Sequence, residues 1–141
     1  MKFWDSSAVI PLVVDQKATA KMRGVASSDP LMLVWWGTGV ECASALARLE
    51  REGALDSAGV AAAFGHLATL AAGWQEIEAG DLVRQTAARL LRVHPLRAAN
   101  ALQLAAAFVA ADGAPPTLEF VTLDDRLALA AQKEGFVVLG P

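Results

Sequence analysis

The chain has 141 residues, enough for one domain with a real core and too few for two of ordinary size. Hydrophobic residues make up 55% of it, but 30 residues are Ala, so packing leans on Leu, Val, 5 Phe and 4 Trp; disordered, collagen-like and low-complexity classes are excluded. The formal net charge of −3 gives no support to nucleic-acid binding, although a local basic rim or a bound cation overrides such a total.

In chain order, Lys2–Trp4 reads as a short apolar strand. Residues 7–14 read as a helix with Ser6 or Ser7 as N-cap, bent by Pro11. An amphipathic helix is expected at 17–27 and an apolar strand at 31–35. A helix at 38–52 stops at Gly53. Residues 57–75 carry no Asp, Glu, Lys or Arg, but hold few large apolar side chains. A helix at 58–72 is therefore expected to be buried or partner-facing rather than membrane-spanning. A strand follows at 74–78, then helices at 81–92 and 96–111. The chain closes with a strand at 118–122, a helix at 125–134 and a strand at 136–139. Strands alternating with helices argue for an α/β fold with a parallel sheet, one domain over residues 1–141.

A single Cys excludes an internal disulfide framework and suits a reducing, cytoplasmic setting. No basic stretch precedes an apolar one at the start, so no signal peptide is expected. Cys42 lacks any motif tying it to His66 or His94 and reads as a buried structural thiol.

In parallel sheets, ligands sit beyond the carboxyl ends of the strands. Asp5 and Asp124 each follow a strand there, Glu41 lies in the first turn of a helix after another, and Asn100 sits early in a later helix. Clustered carboxylates repel and call for a cation, and hard oxygen donors select Mg²⁺ or Mn²⁺. Each residue also has a plainer role. Asp5, Asp124 and Asp125 suit helix caps, Thr38-x-x-Glu41 matches a capping box, and Asn100 suits a buried amide bond.

The segments FWDSSAVIPL, VECASALARLE, HPLRAANALQLAAA and FVTLDDRLALAA, in that order, resemble a VapC-type PIN-domain toxin over essentially the whole chain. The resemblance implies a three-layer α/β/α sandwich with a mainly parallel central sheet. It implies a Mg²⁺-dependent endoribonuclease leaving 5′-phosphate and 3′-hydroxyl ends, held by a cognate antitoxin and usually dimeric, with DNA contacted only through the antitoxin. It places the acids on Asp5, Glu41 and Asp124, and small hydroxyl residues on Ser6 and Ser7. It also marks a departure: Asn100 stands where an Asp is expected, and Gln103 where a His is common.

On this reading Asp5, Glu41 and Asp124 bind metal directly or through water, with Asn100 a weaker fourth member. Ser6, Ser7 and Thr122 fix carboxylate rotamers. Arg97, three residues before Asn100, and then Arg126 are the expected phosphate contacts. Trp35 and Trp36 are expected in core and interface rather than under bases. A homodimer is expected from the Ala-rich, charge-poor helices. The alternatives are a binding module whose metal site Asn100 has disabled and, more remotely, a small-molecule phosphatase.

Overall fold

A computed structural model describes residues 1–141. Its elements are β1 (Lys2–Trp4), α1 (Ser6–Val13), α2 (Thr19–Ser27), β2 (Met32–Trp35), α3 (Thr38–Arg51) and α4 (Ser57–Ala71). They continue with β3 (Gln75–Ile77), α5 (Asp81–Val93), α6 (Ala98–Ala110), β4 (Glu119–Val121), α7 (Asp125–Lys133) and β5 (Val137–Leu139). The five strands form one sheet in the order β3-β2-β1-β4-β5, and every pairing is parallel.

Alternation along the strands builds two cores. Phe3, Leu33, Trp35 and Phe120 face a cluster made with α5, α6 and α7, while Trp4, Met32, Val34 and Val121 face one made with α1 to α4. The result is a three-layer α/β/α sandwich. Phe3 and Phe120 stack at 5.4 Å across the central β1–β4 pair. Ala-rich α6 is a core helix: Ala101, Leu104, Ala105, Ala106 and Ala107 are all fully buried. Small side chains let it lie close to the sheet and to α5. Its composition therefore reflects internal packing rather than an interface. In α4, Val60, Ala63 and Leu67 are buried and Phe64 is half-exposed. No helix is long and apolar enough to cross a membrane.

Several local readings change. The N-cap of α1 is Asp5, whose carboxylate accepts from the Ser7 amide at 3.2 Å, and neither serine takes that place. The helix runs through Pro11, whose carbonyl accepts from the Thr19 hydroxyl at 2.7 Å. The α5–α6 connection, held by Leu96 N–H donating to the His94 carbonyl at 2.9 Å, delays α6 until Ala98. Trp35 enters the core as expected, and Trp36 is 58% exposed.

The two outer helix ends, α5 and α7, are tied by charge. Glu134, just past α7, accepts from Arg89 at 3.1 Å and stands 2.6 Å from Nε2 of buried His94. Arg89 also lies over the Phe108 ring at 5.3 Å. Burial alone would push the Glu134 carboxyl up; hydrogen bonds from Arg89 and His94, and their charges, hold it below its ordinary value. A lowered native pKa gives stability that is present above the unfolded value and lost as pH falls through the native one. Glu134→Gln is thus expected to cost about 1 kcal/mol in urea unfolding at neutral pH. The difference from the parent should shrink as pH falls below the ordinary glutamate range and through the lowered native value.

Candidate functional site

The strand order 3-2-1-4-5 reverses direction between β1 and β4, and a doubly wound sheet opens a crevice at such a point. Asp5 leaves β1 there. Its N–H donates to the Val121 carbonyl at 2.9 Å, so the β1–β4 ladder continues one residue past the strands and sets Asp5 beside Thr122. Asp124 follows two residues later as the N-cap of α7, accepting from Leu127 N–H at 2.9 Å.

Asp5 is buried to 2% exposure. Its Oδ2 accepts from the Thr122 hydroxyl at 2.9 Å, from the Ser7 amide at 3.2 Å, and from the Ser7 hydroxyl. Ser7 Oγ in turn accepts from Leu123 N–H at 2.9 Å, and Thr122 Oγ1 accepts from Asp124 N–H at 3.1 Å. Two hydroxyls thus fix Oδ2 of one carboxylate and the backbone that carries the next acid. Oδ1 has only the Ser6 hydroxyl, at 3.4 Å.

Ser6 also joins Asp5 to Glu41, because its hydroxyl stands 3.0 Å from Glu41 Oε2. The capping-box reading of Glu41 does not hold: the N-cap of α3 is Gly37, and no side chain caps it. Gln103 on α6 makes the difference. It is fully buried and donates from Nε2 to Thr38 Oγ1 at 3.1 Å and to Glu41 Oε2 at 3.3 Å. It draws the hydroxyl and the carboxylate towards α6 instead of back to the helix terminus. The amide oxygen of Gln103 is buried with no partner. Gly37 lets α3 start this close to the sheet, since a Cβ there would lie 2.5 Å from the Trp35 indole nitrogen.

Asn100 reaches the cluster too. Its Nδ2 donates to Asp124 Oδ2 at 3.1 Å, while its carbonyl oxygen makes no hydrogen bond. Asp5, Glu41, Asn100 and Asp124 therefore share one network running through Ser6, Ser7 and Thr122. Arg97 and Arg126 do not join it. Arg97 is the residue before α6, in extended backbone, so the helix face it was expected to share with Asn100 does not include it. Both arginines are exposed, and their side chains make no ion pair. One contributor was named in the sequence only as a departure from the resemblance and given no role: Gln103, which orients Thr38 and Glu41.

The electrostatics are unbalanced. Burial pushes the Asp5 carboxyl up, hydrogen bonds from Ser7 and Thr122 draw it down, and the Asp124 charge pushes it up again; the net direction is up. Glu41 also rises, first through burial and last through the Asp5 charge, against hydrogen bonds from Gln103 and Ser6. None of the five ion pairs in the molecule includes any of these acids. Three carboxylates without a cation form a donor set of hard oxygens that suits Mg²⁺ or Mn²⁺. The set is gathered but not closed: no three His, Cys, Asp or Glu side chains stand at metal-holding spacing. Helix capping by Asp124 and the Asn100 amide on its other oxygen keep it turned to protein partners. Cys42, next to Glu41, is fully buried, and burial pushes its thiol up to about 12, which suits packing and not nucleophilic chemistry.

A carboxyl with a raised native pKa favours folding below its unfolded value and loses that advantage as pH rises through the native one. Ionised Asp5 is therefore a burden on the fold at neutral pH. Asp5→Asn keeps an N-cap oxygen and removes the charge. Thermal unfolding at neutral pH without divalent cations should show a Tm about 3 °C above the parent. Near about pH 3 the gain should vanish.

No family model and no curated protein matches the chain. Among solved structures it is similar to the crystal structure of PAE2754 from Pyrobaculum aerophilum, with a TM-score of 0.67 and 22% identity. The match covers 97% of this chain and 89% of that one. At that identity the likeness speaks for the fold alone.

Proposed function

We propose that the chain is a divalent-metal-dependent endoribonuclease, as its resemblance to VapC-type PIN-domain toxins implies. The observation that carries the reading is the meeting of Asp5, Glu41 and Asp124, remote in sequence, at the switch point of the sheet with no cation paired to them. Asp5, Glu41 and Asp124 would hold Mg²⁺ or Mn²⁺, with the Asn100 carbonyl as an uncharged neighbour. Such an ion, when bound, neutralises charge on a phosphodiester and lowers the pKa of water.

The protein's own groups do the rest. Ser7 and Thr122 lock the Asp5 rotamer through Oδ2, so that its other oxygen has only the Ser6 hydroxyl as partner. Ser6 and Gln103 orient Glu41 through its Oε2, leaving Oε1 free to accept a proton from an attacking water. Burial makes that carboxyl more basic than an ordinary glutamate. The partners follow from the same reading: an RNA substrate, a cognate antitoxin, a second copy of the chain, and DNA only through the antitoxin, in the cytoplasm. The second copy no longer draws on α6, which is core. It draws on half-exposed Phe64 of α4 and exposed Leu82, Leu91 and Val93 of α5.

One observation favours a second reading, a binding module with a disabled metal site. Asn100 places an amide N–H, not a carboxylate, against Asp124. Calorimetry with Mn²⁺ and cleavage of a labelled RNA, run on this chain and on Asn100→Asp, separate the two. The nuclease reading expects both forms to bind metal and cut, with Asn100→Asp about 10-fold or more tighter for the ion. Cleavage by Asn100→Asp alone would support the binding module. Neither metal binding nor cleavage by either form would end the nuclease reading.

A further inference from the structure

Glu41, Ser44 and Arg48 occupy one face of α3 at spacings of three and seven residues. Across from them run α1 and the segment after it, with Ile10 and Gln16. Between the two lies a groove of about 410 Å³ lined by Ser6, Ser7 and Glu41 of the carboxylate network and also by Arg48. Ile10 and Leu49 give it an apolar part, while Ser44 and Gln16 offer a hydroxyl and an amide. Seven residues of helix put Arg48 about 10 Å along the axis from Glu41. Arg48 is exposed and its side chain has no hydrogen bond or ion pair.

We propose that this groove is the subsite for the nucleotide next to the scissile bond, with the Arg48 guanidinium on its phosphate. The inference rests on the nuclease reading and adds to it a place and a residue for binding. The order of charge along the groove supports a polynucleotide. Glu41, the one carboxylate that lines it, suits a phosphate reached through a cation, and the Arg48 guanidinium suits the next phosphate directly. The Ser44 hydroxyl and Gln16 amide suit ribose and base edges, and Ile10 and Leu49 offer an apolar surface to a base. Arg97 and Arg126 do not line this groove.

The test combines steady-state cleavage of a single-stranded oligoribonucleotide with its binding by fluorescence anisotropy. Arg48→Ala is expected to raise KM and Kd about 5- to 10-fold with kcat within about twofold. It should also lower the slope of log affinity against log salt by about 0.7, one phosphate contact on a single strand. Arg48→Lys should recover part of the affinity. Arg51→Ala, which removes an equal charge from the same helix end outside the groove, should leave KM and slope unchanged. Unchanged KM, Kd and slope in Arg48→Ala would overturn the proposal, as would an equal loss in Arg51→Ala. An equal loss of affinity for a poly-glutamate peptide would assign Arg48 to general anion attraction and overturn it too. The two readings fail separately. If the parent chain does not cut RNA, the nuclease reading falls. The subsite then stands or falls on anisotropy alone, and absence of RNA binding by the parent overturns it.

Discussion

The pairing of β1 with β4 is the constraint on which the rest of the structure depends. Parallel register carries the ladder from Trp4–Val121 to the bond between Asp5 N–H and the Val121 carbonyl. That bond forces the residues just past the two strands to face each other. Two carboxylates, on Asp5 and Asp124, are brought into one crevice with their charges acting on each other. The cost is reduced but not removed by Ser7 and Thr122, whose hydroxyls bond one oxygen of Asp5 and also hold the backbone at Leu123 and Asp124. The same two side chains therefore serve strand termination, helix entry and carboxylate orientation.

Burial and charge oppose each other at this point. A fold optimised for its own sake would not bury Asp5, because burial outweighs the hydrogen bonds it receives. The β1–β4 cores on either side, with stacked Phe3 and Phe120 on one face and Trp4 and Val121 on the other, supply the packing that tolerates it. The Glu134–His94–Arg89 tie closes the outer layer well away from the crevice, between the ends of α5 and α7.

Much of the architecture was legible in the sequence, because strand-length apolar runs and helix-length patterns alternate with clear stops such as Gly53 and Gly135. What failed was set by contacts between distant residues. The motif Thr38-x-x-Glu41 is the same whether it closes a capping box or serves a cluster. The deciding partner, Gln103, lies 62 residues from Glu41. Arg97 drew attention by its spacing to Asn100, but a turn held by His94 and Leu96 keeps it outside the helix. Arg48 has helical spacing to Glu41 on a continuous helix, but the same spacing suits any cation in the last turn, so the sequence did not single it out. Adjacent Trp35 and Trp36 parted company because a strand ends between them, one side chain entering the core and the other left in solvent.

On the proposed reading Asp5, Glu41 and Asp124 act as one cation-binding cluster. A crystal structure grown with Mn²⁺, using its anomalous signal to locate the ion, tests this most directly. The account predicts a Mn²⁺ peak bonded to oxygens of these carboxylates, with Asp124 released from the Asn100 amide. Density elsewhere, or none in the crevice with Asn100 still donating to Asp124, would contradict it.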